Sequence, residues 1–340
     1  MKKKKGLIIG FLCLFILVLI SVGLFFVLNK DKEELDSKEE TKQEEKEEKK
    51  EPSGSPLLYK VTKKGSDTVI YLFGSIHMAD DKAYPLRDEI MNAYKESEYL
   101  AVEFDTVAYQ KDMSKMMDDV QGLIYLDGTK LKDHLSEESY NKIVDYLKEN
   151  NSYMGIYEMY KPVMFYSLVN VVIGNKSGLD SDKGIDAYFL NDAHKNNKKI
   201  LEVESSDYQF GLFSRYSDKL FEILTLYMIE NEAEGVQELK DLYEGWLKGD
   251  PTEIISETGE EVPEEVIKQY GDTIKEIKTF NKELVDDRNK EMTKVVDNYF
   301  KEKKNTFVVV GAAHVVGDKG IAKGLEKAGY KVEIVEYKNN

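Results

Sequence analysis

Hydrophobic and polar positions change regime along this chain. From Gly6 to Leu28 the sequence is an almost unbroken apolar run behind Met1-Lys2-Lys3-Lys4-Lys5. A run of roughly 20 apolar residues is what a helix needs to cross a bilayer. From Lys30 to Glu51 Lys and Glu dominate, with an isolated Leu35 and no aromatic. Such a stretch cannot bury enough apolar surface to offset chain entropy, and it reads as a solvated tether. Pro52-Ser53-Gly54-Ser55-Pro56 closes it, and the patterning of a folded body begins at Leu57.

Within that body, Leu57 to Thr62 and Thr68 to Phe73 are apolar or β-branched runs around Lys63-Lys64-Gly65-Ser66-Asp67, the pattern of a hairpin. A helical stretch follows from Pro85 to about Ser97, then a short strand from Tyr99 to Glu103. Helical periodicity dominates the middle: Ser136 to Glu149, Tyr157 to Ile173, Ile185 to Asn196 and several stretches between Asp207 and Lys248. A strand from Lys199 to Val203 interrupts it. After a loop from Thr252 to Pro263, a long helix from Glu264 to Lys301, broken near Gly271, leads to a strand at Thr306 to Val310. A helix from Gly317 to Ala328 and a strand from Lys331 to Val335 complete the chain. The end repeats the order of the beginning, strand, loop, helix, strand, which suggests a duplicated half.

Strands separated by helices predict an α/β fold: a mainly parallel or mixed central sheet flanked by helices, with a large helical insertion, preceded by one transmembrane helix. The expected organisation is a basic tail over residues 1–5, an anchor over 6–28, a charged linker over 29–56 and one folded domain over 57–340. The lysines at the start should remain cytoplasmic, placing the C-terminal domain outside a single-pass anchor in the cell membrane. A cleaved signal peptide shares the basic start. However, the apolar run here exceeds the usual core of about 7–15 residues and no small-x-small site follows it. Cys13 lies mid-run behind Gly10-Phe11-Leu12, too bulky for a lipidation motif. No cysteine follows it, so the domain forms no internal disulfide and relies on its core or on a metal. A formal charge of -16 argues against nucleic acid, which demands a basic footprint, and favours solubility.

The candidate chemistry sits at strand ends. Gly74-Ser75-Ile76-His77 follows the run Val69 to Phe73, and Gly311-Ala312-Ala313-His314 follows Phe307 to Val310. Neutral imidazole ligates borderline transition ions and moves protons near neutral pH. In parallel sheets ligands gather at the carboxyl ends of strands, so both histidines are expected at one site. Glu103 ends the second strand of that set; it would complete a metal shell or act as general base, or else cap a neighbouring helix. Glu202 and Glu204 compete for a second acidic position, and strand alternation leaves the choice open. Arg288, within Asp286-Asp287-Arg288-Asn289, is either a solvent-facing ion pair or a group that holds a substrate carboxylate or an oxyanion. Asp186, after Gly184, is a helix-terminal carboxylate or a member of the site. His134 and His194 read as surface histidines. No His-Glu-x-x-His, Gly-x-Ser-x-Gly or P-loop occurs.

These motifs, in this order, resemble the TraB/GumN family, which includes PrgY-type pheromone-shutdown proteins and the Tiki proteases. The resemblance rests on Tyr71-Leu72-Phe73-Gly74-Ser75-Ile76-His77, Leu100-Ala101-Val102-Glu103, Gly184-Ile185-Asp186, Ile200-Leu201-Glu202-Val203-Glu204, Asp287-Arg288-Asn289-Lys290-Glu291-Met292 and Val310-Gly311-Ala312-Ala313-His314-Val315-Val316-Gly317. It spans about Leu57 to Val335. It implies an α/β fold related to the erythromycin-esterase and ChaN haem-binding group, with both Gly-x-x-His loops, an acidic residue and an arginine around one pocket. The Tiki branch implies a metal-dependent peptidase using manganese or cobalt, with zinc as a further option; His77, His314 and Glu103 would hold the metal. Glu103 and Arg288 would be catalytic, with Asp186, Glu202, Glu204 and Asn289 binding substrate or supporting the ligands. The expected activity is hydrolysis of peptides or proteins outside the cytoplasmic membrane. PrgY and ChaN imply the alternative, a protein that sequesters a peptide pheromone or a metal-containing ligand without turnover. Oligomeric state is left open.

Overall fold

The computed structural model describes residues 52, 54–257 and 273–338. The expected anchor and nearly all of the charged tether lie outside the described residues. Among the described residues no helix is long and apolar enough to cross a membrane.

Six strands form one mixed sheet: β1 (Leu58–Thr62), β2 (Ile70–Ser75), β3 (Tyr99–Val102), β4 (Lys199–Glu202), β5 (Thr306–Gly311) and β6 (Lys331–Ile334), in the order β4-β3-β5-β2-β1-β6. The hairpin expected at the start is present, with Leu58 opposite Phe73 and Val61 opposite Ile70. Strands β2, β5, β3 and β4 are mutually parallel, while β1 is antiparallel to both its neighbours. β5 is buried at every position, which explains its run Thr-Phe-Val-Val-Val-Gly: a strand covered on both faces has no polar side to show. Phe73, Phe189, Phe307 and Tyr94 pack edge-to-face or tilted beneath the sheet, with centroid separations of 4.9–6.0 Å.

The two segments with the order strand, loop, helix, strand are interleaved in the sheet rather than side by side. The chain leaves β2 for β3 across β5, and leaves β5 for β6 across β2 and β1. Parallel crossovers are right-handed, so connections departing in opposite directions cover opposite faces and leave a crevice between the carboxyl ends of β2 and β5. Both Gly-x-x-His loops open into that crevice.

The flanking helices include α1 (Asp88–Glu96), α2 (Pro162–Lys176), α3 (Ile185–Lys195), α4 (Ser206–Ser214), α5 (Asp218–Glu230), α6 (Glu232–Lys248), α7 (Pro251–Glu257), α8 (Arg288–Lys301), α9 (Ala312–Val315) and α10 (Ile321–Lys327). α2 is apolar on every side and buried over most of its length, packing against α5 at the centre of the helical insertion. It begins at Pro162 rather than Tyr157, because proline suits the first helical position; Gly155–Met159 is a separate 3-10 turn. The loop expected from Thr252 to Pro263 is helical in its described part, as α7. The helix expected from Gly317 starts at Ile321, since Gly317 turns the chain with φ 86. The described portion of the long helix, Thr273 to Lys301, contains a π-turn at Glu283–Asp287 immediately before Arg288.

Candidate active site

Because β2, β5, β3 and β4 are neighbours and point the same way, His77, His314, Glu103 and Glu204 emerge on one rim. The β3–β4 pairing continues one step past the strands, with Glu204 N donating to Glu103 O at 2.9 Å. At the centre, the Gly311 N–H donates to Glu103 Oε1 at 3.0 Å. A Cβ on Gly311 would lie 3.5 Å from Glu103 Oε1, 3.6 Å from His314 Cδ2 and 3.8 Å from His77 Nε2. Three side chains thus converge on one glycine, and any larger residue would fill the space between them.

Behind this point lies a buried ion cluster. Arg288 is 1% exposed; its Nη2 donates to Glu103 Oε2 and to Glu204 Oε2, both at 2.7 Å, and its Nε donates to Glu204 Oε1 at 2.8 Å. The Leu284 carbonyl accepts a further bond from Nη1 at 3.2 Å, across the π-turn that immediately precedes Arg288. Gln209 of α4 donates its Nε2 to Glu103 Oε2 at 3.2 Å and to Glu204 Oε2 at 3.0 Å. Arg288 therefore fixes two carboxylates instead of facing outward as a lone cation. Burial alone would raise the Glu103 carboxyl, but Arg288, His314, His77 and the Gly311 N–H together hold it down at about 2.

Each histidine is oriented by a side-chain oxygen. His77 Nδ1 bonds Asp186 Oδ2 at 2.8 Å, and Ser75 Oγ donates to the other oxygen of Asp186. Asp186 reaches this place because Ile185 N, at the start of α3, donates to Ile76 O at 2.9 Å, and because Gly184 leaves room: a Cβ there would stand 2.4 Å from the His77 carbonyl oxygen. His314 Nδ1 bonds Asn289 Oδ1 at 2.6 Å, while Asn289 Nδ2 donates to Lys319 O. Carboxamide and carboxylate acceptors place the proton on Nδ1 of each neutral ring, making Nε2 the acceptor nitrogen. His314 is wholly buried; burial first, then Arg288, push its pKa from 6.5 down to about 3, against the pull of Glu103. His77 and Asp186 keep 15% and 25% side-chain exposure, so the site opens on their side.

A folded His314 titrating near 3 has a consequence for stability. Below about pH 6.5 the unfolded chain binds a proton at this position that the folded protein does not, so the favourable contribution is complete above pH 6.5 and declines as pH falls towards 3. The slope reaches about 1.4 kcal/mol per pH unit. Urea denaturation of metal-free protein at pH 7 and pH 5 is expected to show a fall of about 1–2 kcal/mol that shrinks in His314→Gln. An unchanged difference in the variant would contradict the assignment.

Of the residues singled out in the sequence, His77, His314, Glu103, Glu204, Arg288, Asp186 and Asn289 come together. Glu202 does not: it is exposed at the end of β4, and its Oε1 accepts from the Asp105 backbone N–H. His194 pairs with Asp105 at 2.8 Å, and His134 stacks on Tyr125 at 3.8 Å; both lie outside the cluster. Ser75 lies inside the first Gly-x-x-His but was given no role there, and Gln209 and Trp246, whose Nε1 donates to Gly74 O at 2.7 Å, lie outside the quoted motifs. The one hint for Gln209 is a polar residue beside Phe210, Leu212 and Phe213 on the buried side of a helix that starts at a strand end.

Two imidazoles with Nε2 as acceptor and one ionised carboxylate are the donor types that a divalent transition ion takes. One guanidinium facing two carboxyl groups also leaves a formal negative charge for a cation to offset. In donor chemistry the residues fit such an ion. Among the described residues, however, no group of three or more His, Cys, Asp or Glu is gathered as a ready metal cage. A model of the TraB/PrgY/gumN family matches residues 57–334. No curated protein and no solved structure matches the chain.

Proposed function

The chain belongs to the TraB/PrgY/gumN family, and from that premise we propose that it is a membrane-anchored, metal-dependent hydrolase, a peptidase whose domain lies outside the cytoplasmic membrane. The observation that carries this reading is the convergence of Glu103, His77 and His314 on Gly311, each held from behind by a dedicated partner. His77 Nε2, His314 Nε2 and Glu103 Oε1 would hold the ion, with manganese or cobalt favoured and zinc a further candidate. When bound, the ion supplies Lewis-acid polarisation of a scissile carbonyl and a lowered pKa for water. The chain's own residues do the rest. Glu103, held near 2, is a stronger anionic ligand than proton acceptor. Arg288 and Gln209 fix its orientation from the buried side, and Asp186 and Asn289 fix the imidazoles. Substrate approaches over His77 and Asp186, the exposed flank. Each turnover consumes one water, breaks one amide C–N bond and leaves a new carboxyl and a new amino terminus.

A second reading, capture of a peptide without turnover, would use the same exposed flank over His77 and Asp186. Incubating the purified full chain with a mixed peptide pool, with and without added manganese, separates the two by mass spectrometry. New termini that require manganese support hydrolysis. Stoichiometric retention of intact peptide would overturn it in favour of capture.

A further inference from the structure

One helix of the insertion grips the first histidine loop at both ends. Trp246 and Tyr243 stand three residues apart on α6 and so share one face, their rings nearly parallel at 11° with centroids 6.2 Å apart. Trp246 is 1% exposed, and its Nε1 donates to Gly74 O at 2.7 Å, at the residue that opens the loop. Tyr243, also buried, closes the other end: its OH accepts from Asp80 N at 3.2 Å and donates to Asp80 Oδ1 at 2.6 Å. Between these bonds runs Ser75 to Ala79, with His77 at its centre. Met78 packs its sulfur over Gly174 of α2, where a Cβ would stand only 2.4 Å away. Asp180 exchanges two backbone bonds with Ala79, at 2.8 and 3.0 Å. The His314 ring is held from another direction, by Asn289 of α8.

We infer that Trp246 and Tyr243 are positioning residues that set His77 against Glu103 and His314, which makes α6 a working part of the site and not only a cover for the sheet. This rests on the reading of His77 as a metal ligand given above. The sheet cannot do this work alone. Its pairing on β2 ends at Phe73 on the β1 side and at Ser75 on the β5 side, short of His77. Beyond Ser75 the backbone takes its bonds from the insertion instead: Ile76 O from Ile185 N, Ala79 from Asp180 and Asp80 N from Tyr243. A ligand must be held within about 0.5 Å of its productive place, and a buried indole N–H or carbonyl left without its partner is costly, so the Trp246–Gly74 bond keeps the loop in one position.

The test uses the full chain and the variants Trp246→Phe and Tyr243→Phe, which keep an aromatic ring and lose its polar group; the second removes a single oxygen. In metal-free protein, hydrogen exchange read by mass spectrometry is expected to quicken roughly 5- to 10-fold over residues 74–80 in each variant and to stay unchanged over residues 311–316. Manganese affinity, followed through the spin resonance of the free ion, should fall about 10-fold. Phe221→Leu serves as the control. It is a buried change in the same insertion, among Tyr166, Phe213 and Phe280, and should lower the melting temperature without either local effect. Exchange that quickens equally in both loops, or in neither, would overturn the inference, as would a manganese affinity within about 2-fold of the parent's. A parent chain that binds no manganese would overturn the metal reading alone, and the exchange measurement would still decide whether α6 sets the loop.

Discussion

Arg288→Ala is expected to cost the folded domain about 3–5 kcal/mol, the range for removing one partner of a buried ion pair. The guanidinium is 1% exposed and bonds Glu103, Glu204 and the Leu284 carbonyl. Its loss leaves two carboxylates facing each other in a dry interior, with only Gln209 donating to both. Arg288→Lys should recover part of the loss, because one ammonium cannot reproduce the planar fork that engages Glu204 through Nε and Nη2 together. Urea denaturation with an unchanged m-value would measure both. A loss below about 1 kcal/mol would place Arg288 in solvent, as an exposed ion pair.

His77→Ala and His314→Ala are each expected to lower peptide cleavage by more than the roughly 10- to 100-fold seen when only a supporting partner of a ligand is removed. Asp186→Ala and Asn289→Ala should fall within that smaller range, since they act through the rings they orient. The two histidine variants should differ in stability. His77 keeps 15% exposure and its removal is tolerated, whereas removing the wholly buried His314 strands Asn289 Oδ1 and costs about 1–3 kcal/mol. Initial rates on a peptide cut by the parent chain, with thermal melts alongside, separate lost chemistry from lost fold. Retained activity in His77→Ala would remove that residue from the site.

Much of this was legible in the chain. Short apolar runs such as Phe307 to Val310 located the strands, because a strand buried on both faces must be apolar throughout. The polar residue after each run marked the rim. Strand order was not legible: nothing local says that β5 inserts between β2 and β3, since that pairing joins residues far apart in the chain. The same limit hid the ion cluster, whose Arg288–Glu103 contact spans 185 positions. Alternation could not choose between Glu202 and Glu204, which share parity. The chain leaves the regular strand at Glu202, and Glu204 instead follows Glu103 into the cluster while Glu202 stays in solvent. Gln209 escaped because a single polar side chain among apolar ones carries no periodic signal, and one of its partners, Glu103, lies 106 positions away in the chain.

The central claim is that both histidines present a ring nitrogen to one divalent ion beside Glu103. Electron spin echo measurements on the full chain loaded with one equivalent of manganese test it most directly, because they count nitrogen ligands. The parent chain should show two imidazole nitrogens coupled to the ion, and His77→Ala and His314→Ala one each. Manganese bound with no nitrogen coupling, or a spectrum unchanged in both variants, would contradict it.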